Sequence, residues 1–257
     1  MRRWIDDEGA HTVAGSRAAT VLQDSILEHL GREIVDGKVP AGHRYTLDGL
    51  QERFSISRTV TRDVMRVLDS LGLVTPRRSV GVIVNPASEW NVHSPRIIAW
   101  RLAGPEAAQQ FRELTQLRIA VEPLAAAEAA EHADAEARAR LTELSDALRT
   151  LGEAGDLEAF LAADIEFHAV ILRACGNSLF AALEGVIGEV LAGRTHAGLM
   201  PYHPRQEALE AHAALATAIA DRDRAGAERA AAHIVDEVRA ALDSDLDSPP
   251  GAGAANA

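Results

Sequence analysis

Apolar residues recur at helical spacing along most of the chain, and one short stretch breaks that rule. Residues 1–17 show no apolar periodicity and read as a flexible arm. Val21, Ile26, Leu27, Leu30 and Ile34 then mark one face of a helix, which turn residues between Gly37 and Gly42 end. Leu47, Leu50 and Phe54 predict a second, short helix. Ser55-Ile56-Ser57 predicts a tight turn, with Ser57 as N-cap of a third helix running to Leu71. Val60, Val64, Val67 and Leu68 form the inward face of that helix, while Arg58, Thr59, Arg62 and Arg66 point outward. After Gly72 the period changes. Leu73-Val74-Thr75 and Val80-Gly81-Val82-Ile83-Val84 read as two strands around Pro76-Arg77-Arg78-Ser79.

Helix, helix, tight turn, helix and a two-stranded wing make a winged helix-turn-helix domain over residues 18–86. Residues 87–104 form a connector with a short apolar helix at Ile97, Ile98 and Trp100. Beyond Gly104-Pro105 six helices are expected near 106–131, 135–152, 157–175, 178–198, 205–222 and 224–245. Together they form an antiparallel helical bundle over 105–246 with room for a central cavity. The proline-containing tail, 247–257, is expected to be disordered. The fold class is mainly α.

Charge sharpens this division. The 257 residues carry a formal net charge of −12. Residues 1–90 are balanced, with 12 basic and 12 acidic groups, whereas residues 91–257 hold 14 basic and 26 acidic groups. Within the balanced part, Arg53, Arg58, Arg62, Arg66, Arg77 and Arg78 face only Asp63 and Asp69. That local excess suits phosphate, and the acidic remainder would confine DNA contact to this module. A helix entering the major groove with Arg58 and Arg62 near its N-terminus, and wing arginines Arg77 and Arg78 on the backbone, gives the geometry a use. A protein-docking module is the alternative reading of the same layout. The single cysteine, Cys175, excludes a disulfide scaffold and a cysteine-based zinc site. No apolar run is long enough for a membrane span and no signal segment opens the chain, so a cytoplasmic protein is expected.

The helical part carries a second constellation. Asp164 and His168 are spaced i, i+4 on one helix, and His212 and His233 sit among apolar neighbours on two later helices. Three imidazoles and a carboxylate suit a divalent metal, zinc first, with nickel, manganese or iron as alternatives. A surface Asp–His pair and two core histidines are the alternative reading. Arg118, between Leu117 and Ile119, is the candidate to neutralise a carboxylate ligand, against a structurally paired arginine.

These residues also carry a resemblance. Ile34-x-x-Gly37-x-x-Pro40-x-Gly42, Ser57-Arg58-Thr59-x-x-Arg62, Leu68-x-x-x-Gly72-Leu73-Val74 and Gly81-Val82 resemble the DNA-binding domain of the GntR superfamily. The resemblance implies DNA contact by Ser57, Arg58, Thr59, Arg62, Arg77, Arg78 and Gly81. One departure is Tyr45-Thr46-Leu47-Asp48, where that family usually has Leu-Pro-Ser-Glu and often a nearby DNA-contacting arginine. Leu117-Arg118-x-x-x-Glu122-x-x-Ala125-Ala126, Asp164-x-x-Phe167-His168, Gly176-Asn177, Glu210-x-His212 and His233-Ile234 are similar to the FCD effector domain of the FadR branch. That implies a divalent metal on Asp164, His168, His212 and His233, a small carboxylate effector and a homodimer on operator DNA. Asn85-Pro86-Ala87-Ser88-Glu89-Trp90-Asn91 and Pro95-Arg96-Ile97-Ile98-x-Trp100-Arg101-Leu102 resemble regulators of sugar-acid catabolism, so sugar acids and hydroxy acids lead the effector classes. The expected function is a ligand-responsive transcription repressor without enzymatic activity.

Two other classes compete. A metal-dependent enzyme would need a base beside the metal, and Glu166 falls on another helix face from Asp164 and His168. A helical protein-binding adaptor would leave the arginines of the third helix and wing without a use.

Overall fold

The first helix begins earlier than apolar periodicity indicates. A computed structural model describes residues 8–78, 81–200 and 203–246, and α1 (Glu8–Val35) has helical backbone through most of the expected arm. Residues 1–7 and the expected tail at 247–257 lie outside the described residues. Gly37 takes the left-handed conformation, φ 72°, that turns the chain out of α1. A two-residue strand, β1 (Arg44–Tyr45), leads into α2 (Leu47–Phe54). The Thr46 hydroxyl caps α2 by accepting from Gly49 N–H at 3.0 Å. Ser57 does the same for α3 (Arg58–Ser70), accepting from Val60 N–H at 3.3 Å. The buried face of α3 comprises Thr61, Val64, Met65 and Leu68, with Val60 and Val67 half-buried at its edge.

The wing has three strands where two were expected. Strands β2 (Val74–Arg77) and β3 (Gly81–Val84) pair antiparallel, with Val74 opposite Val84. β1 adds to the other edge of β3, giving the order β1-β3-β2, with Arg44 opposite Ile83. Val80, expected in the second strand, lies outside the described residues. Leu27, Leu30, Leu50, Val64, Leu68, Leu73, Val74 and Val82 close the core of this unit.

The connector is packed against this core. A short 3-10 turn (Ala87–Glu89) precedes α4 (Pro95–Leu102). Trp100 of α4 is only 1% exposed and lies across Gly31, where any side chain would collide with the indole ring. Its Nε1–H donates to Glu28 at 2.6 Å. The chain divides into two compact units, residues 1–105 and 106–257, so α4 belongs with the winged module.

The second unit is helical among its described residues. It contains α5 (Ala107–His132), α6 (Ala135–Ala154), α7 (Leu157–Ala174), α8 (Ser178–Ala181), α9 (Glu184–His196), α10 (Gln206–Ala220) and α11 (Arg224–Leu246). The stretch expected as one helix at 178–198 is two, parted at Ala182 and Leu183. Asp134 and Asp156 cap α6 and α7 from the backbone N–H groups of Ala137 and Ala159. The small side chains of Ala125, Ala126, Ala129 and Ala130 are fully buried, and they let α5 pack closely with α11, α10 and α7. No described helix is long and apolar enough to cross a membrane.

Candidate functional site

The outward face of α3 carries the arginines the sequence places there. Ser57, Arg58, Thr59, Arg62, Arg77 and Arg78 are all exposed. Arg58, Arg62 and Arg66 from α3 and Arg77 from β2 border one groove that also touches Thr46 and Asp48. Not every cation of this module is available. Arg53 is drawn back onto α1 by Glu33 at 2.6 Å, and Arg66 is paired with Asp63 at 2.9 Å. Arg58, Arg62, Arg77 and Arg78 form no ion pair with the described residues. Asp48, the counterpart of the acidic residue that closes the family's Leu-Pro-Ser-Glu pattern, accepts from Gln51 at 3.3 Å. Gly81 has a built-in backbone reason to be glycine. Its φ is 105°, and a side chain there would strike the Tyr45 carbonyl across the sheet.

The helical unit brings three of the four expected metal ligands together. Asp164 and His168 on α7 and His212 on α10 are 8%, 4% and 6% exposed. His212 Nε2 is 3.2 Å and His168 Nε2 3.5 Å from the same atom, Asp164 Oδ1. All three atoms are buried without a hydrogen-bond donor or acceptor to satisfy them. Their far sides are fixed. His212 Nδ1 lies 2.7 Å from the Ala208 carbonyl, an oxygen that can only accept, so Nδ1 carries a hydrogen and the lone pair of the neutral ring is on Nε2. His168 Nδ1 is held in the same way by Glu122 Oε2 at 3.0 Å. Three lone-pair atoms therefore face one point. Ligand atoms about 2.0–2.2 Å from one ion, at right or tetrahedral angles, stand roughly 3–3.5 Å apart, which matches the 3.2 and 3.5 Å separations of the two imidazoles from Asp164 Oδ1. The donor set fits a divalent cation.

Electrostatics draw positive charge, whether a proton or a cation, to the same point. Burial pushes the Glu122 carboxyl up, but Arg118 and His168 outweigh it and bring its pKa to about 2. Burial also disfavours Asp164 ionisation, yet the two imidazoles hold it well below the usual carboxylate range. Burial lowers His168, and the Glu122 and Asp164 carboxylates reverse this, raising its pKa to about 9. Two buried carboxylates flanking one imidazole favour positive charge at this point.

His233 is not part of the cluster, a correction to the expected four-ligand set. Its side chain is 57% exposed and lies 3.8 Å from Glu237 on its own helix. The face of α11 that reaches the cluster's cavity presents Ile234, Glu237 and Val238 instead. Residues three and four positions from His233 include Arg229, Asp236 and Glu237, a polar face, whereas Leu209, Leu215 and Ala216 surround His212.

Arg118 does line the cavity, at 1% exposure, but most of its guanidinium is engaged. Nε donates to Glu122 Oε1 at 2.6 Å and Nη2 to Oε2 at 3.3 Å, leaving Nη1 buried without an acceptor. Arg118 thus steadies Glu122, which steadies His168. The i, i+4 spacing of Arg118 and Glu122 signals that pair, though not its link to His168 on another helix. The cavity measures about 340 Å³ and is also bordered by Arg194 and Arg205, which sequence reasoning missed. Glu166 turns away from it and meets Arg140 at 2.7 and 2.9 Å.

Comparison with known proteins places these two sites in context. Residues 113–237 match the FCD domain. The chain is 31% identical over 213 residues to the galactonate operon transcriptional repressor of Escherichia coli K12, covering 81% of this chain and 91% of that one. It is 26% identical to the probable D-xylose utilization operon transcriptional repressor of Paenarthrobacter nicotinovorans, over 84% and 86% of the two chains. Among solved structures, E. coli McbR/YncC matches with a TM-score of 0.52 at 19% identity, covering 88% of this chain and 99% of that one, a likeness of fold. These relatives are regulators, which sets the enzyme reading aside. With a winged helix-turn-helix module ahead of an FCD domain, the chain belongs to the FCD-containing branch of the GntR family of transcriptional regulators.

Proposed function

We propose that this regulator is a repressor that holds operator DNA as a homodimer in the cytoplasm and releases it when a small carboxylate enters the cavity of the helical unit. The observation that carries this reading is the convergence of three unsatisfied lone-pair atoms, on Asp164, His168 and His212, at a cavity that Arg118 also lines. These three residues would hold the metal, zinc first, with nickel, manganese or iron as alternatives. A divalent ion bound there would supply a Lewis-acid anchor for a carboxylate oxygen and a neighbouring oxygen.

The chain's own groups do the rest. Glu122 and the Ala208 carbonyl orient the two imidazoles, and Arg118 keeps Glu122 ionised and in place. On the winged unit, Arg58 and Arg62 would reach base edges or phosphates, with Ser57 and Thr59 on the backbone beside them and Arg77 and Arg78 gripping phosphate. One such helix reads only a few base pairs, so a two-fold dimer on a short palindrome is the economical arrangement. The name of the E. coli relative supports repression and puts sugar acids beside hydroxy acids as first candidates.

The test joins metal, effector and DNA. Purified protein should retain about one divalent ion per chain and lose it in His212→Ala. Candidate acids should release operator from wild type but not from Asp164→Ala at the same concentration. Coupling of this kind is reciprocal, so operator should weaken acid binding by the same factor. A folded, metal-free Asp164→Ala protein that responds at wild-type concentrations would overturn the reading.

A further inference from the structure

The walls of the cavity differ sharply from its inner end. Asp164, His168 and His212 make the inner end polar, and Arg194, Arg205 and Glu237 add charge around it. Between these groups the lining is hydrocarbon and thioether: Phe160 from α7, Leu191 from α9, Leu199 and Met200 beyond it, and Ile234 and Val238 from α11. Among the described lining residues there is no serine, threonine, asparagine, glutamine or tyrosine. Neutral hydroxyls and amides are the groups that both donate to and accept from a sugar hydroxyl.

That lining bears on ligand class. A six-carbon sugar acid carries a hydroxyl on nearly every carbon, and each one stripped of water needs a replacement hydrogen bond. Three arginines, Arg118 among them, and the Glu237 carboxylate can serve some of these hydroxyls, but the Phe160, Leu191, Ile234 and Val238 walls can serve none. The same walls reward an alkyl or aromatic body by removing it from water. Ile234 matters twice, because it puts a hydrophobic surface on α11 where an inward imidazole would have been polar.

We propose that the effector is a 2-hydroxy or 2-oxo acid with an apolar body, its carboxylate and neighbouring oxygen at the Asp164–His168–His212 end and its hydrocarbon part against the cavity walls. A polyhydroxylated acid is the weaker ligand. This inference rests on the carboxylate-sensing reading above and narrows it.

The experiment is calorimetric titration of the full chain, supplied with zinc, against two sets of acids. One set is 2-hydroxyhexanoate, 4-methyl-2-hydroxypentanoate and mandelate; the other is gluconate and galactonate. The apolar acids should bind more tightly by about tenfold or more. Met200→Gln, at a half-buried position in the cavity lining, should narrow the gap by weakening the apolar set while thermal unfolding stays cooperative. Gluconate or galactonate binding as tightly as the apolar acids would overturn this inference and leave carboxylate sensing standing. Silence of both sets with metal-loaded protein would overturn both.

Discussion

The arginine face of α3 and the Asp164 cluster are both polar constellations carried by helices, yet they are stabilised in opposite ways. Arg58 and Arg62 are exposed, so water solvates them until a target supplies the counter-charge. Their contribution depends on ionic strength and on the partner's geometry more than on anything around them. Asp164, His168 and His212 have almost no access to water, and the two imidazoles are braced from behind: Glu122, itself held by Arg118, behind His168, and the Ala208 carbonyl behind His212. An exposed site needs only the correct face of one helix. A buried site needs the register between several helices as well.

The largest expected effect comes from breaking the brace at its centre. Glu122→Ala leaves Arg118 buried without its carboxylate, and removing one member of a buried ion pair costs about 3–5 kcal/mol. Urea unfolding should show that loss as a lower midpoint with an unchanged slope. Glu122→Gln keeps an acceptor for Arg118 and should cost less. Both variants free the His168 ring, so metal affinity should fall by about 10–100-fold even where the protein stays folded. Wild-type stability in Glu122→Ala would mean the pair carries no structural weight.

The exposed side of the comparison predicts the reverse pattern, an effect on binding with little on stability. Arg58→Ala and Arg62→Ala should each weaken operator binding by about 1–3 kcal/mol if they reach bases. Thermal unfolding should barely move, because neither side chain is buried or paired within the described structure. Arg77→Ala and Arg78→Ala should lower affinity more evenly across DNA sequences, each flattening the salt dependence by about one unit of slope. Full operator affinity in the Arg58→Ala/Arg62→Ala double variant at moderate salt would remove α3 from the DNA interface.

What could be read from sequence follows the same division. The winged module was legible because apolar spacing, Ser57 and the change to β-branched residues after Gly72 all act within one element. Strand β1 was not, since Arg44 and Tyr45 are too few to show alternation and become a strand only by pairing with β3. The helices of the second unit emerged from their periodicity and breaks, but the parting at Ala182 and Leu183 has no glycine or proline to announce it. Among the ligands, Asp164 and His168 were legible from one helix face. Convergence with His212 depends on how α7 and α10 pack, which spacing along the chain does not encode. Glu122 appeared only as a signature residue, because its contact with His168 crosses from α5 to α7.

The two histidines at the C-terminal end of the unit carry the smallest and most discriminating prediction. Both have alanine or isoleucine as sequence neighbours, but adjacent residues on a helix face different ways, about 100° apart. The residues that share a face are three and four positions away. By that rule His212 faces the core, and His233 shares its face with Arg229 and Asp236. His233→Ala should therefore leave metal content unchanged and stability within about 0.5 kcal/mol. Ile234→His moves the imidazole one position, onto the face that lines the cavity. That variant should slow metal loss to a chelator, even if the polar ring costs some stability against its apolar surroundings. Loss of metal from His233→Ala, or no change in chelator resistance with Ile234→His, would mean that α11 approaches the cluster by a different face.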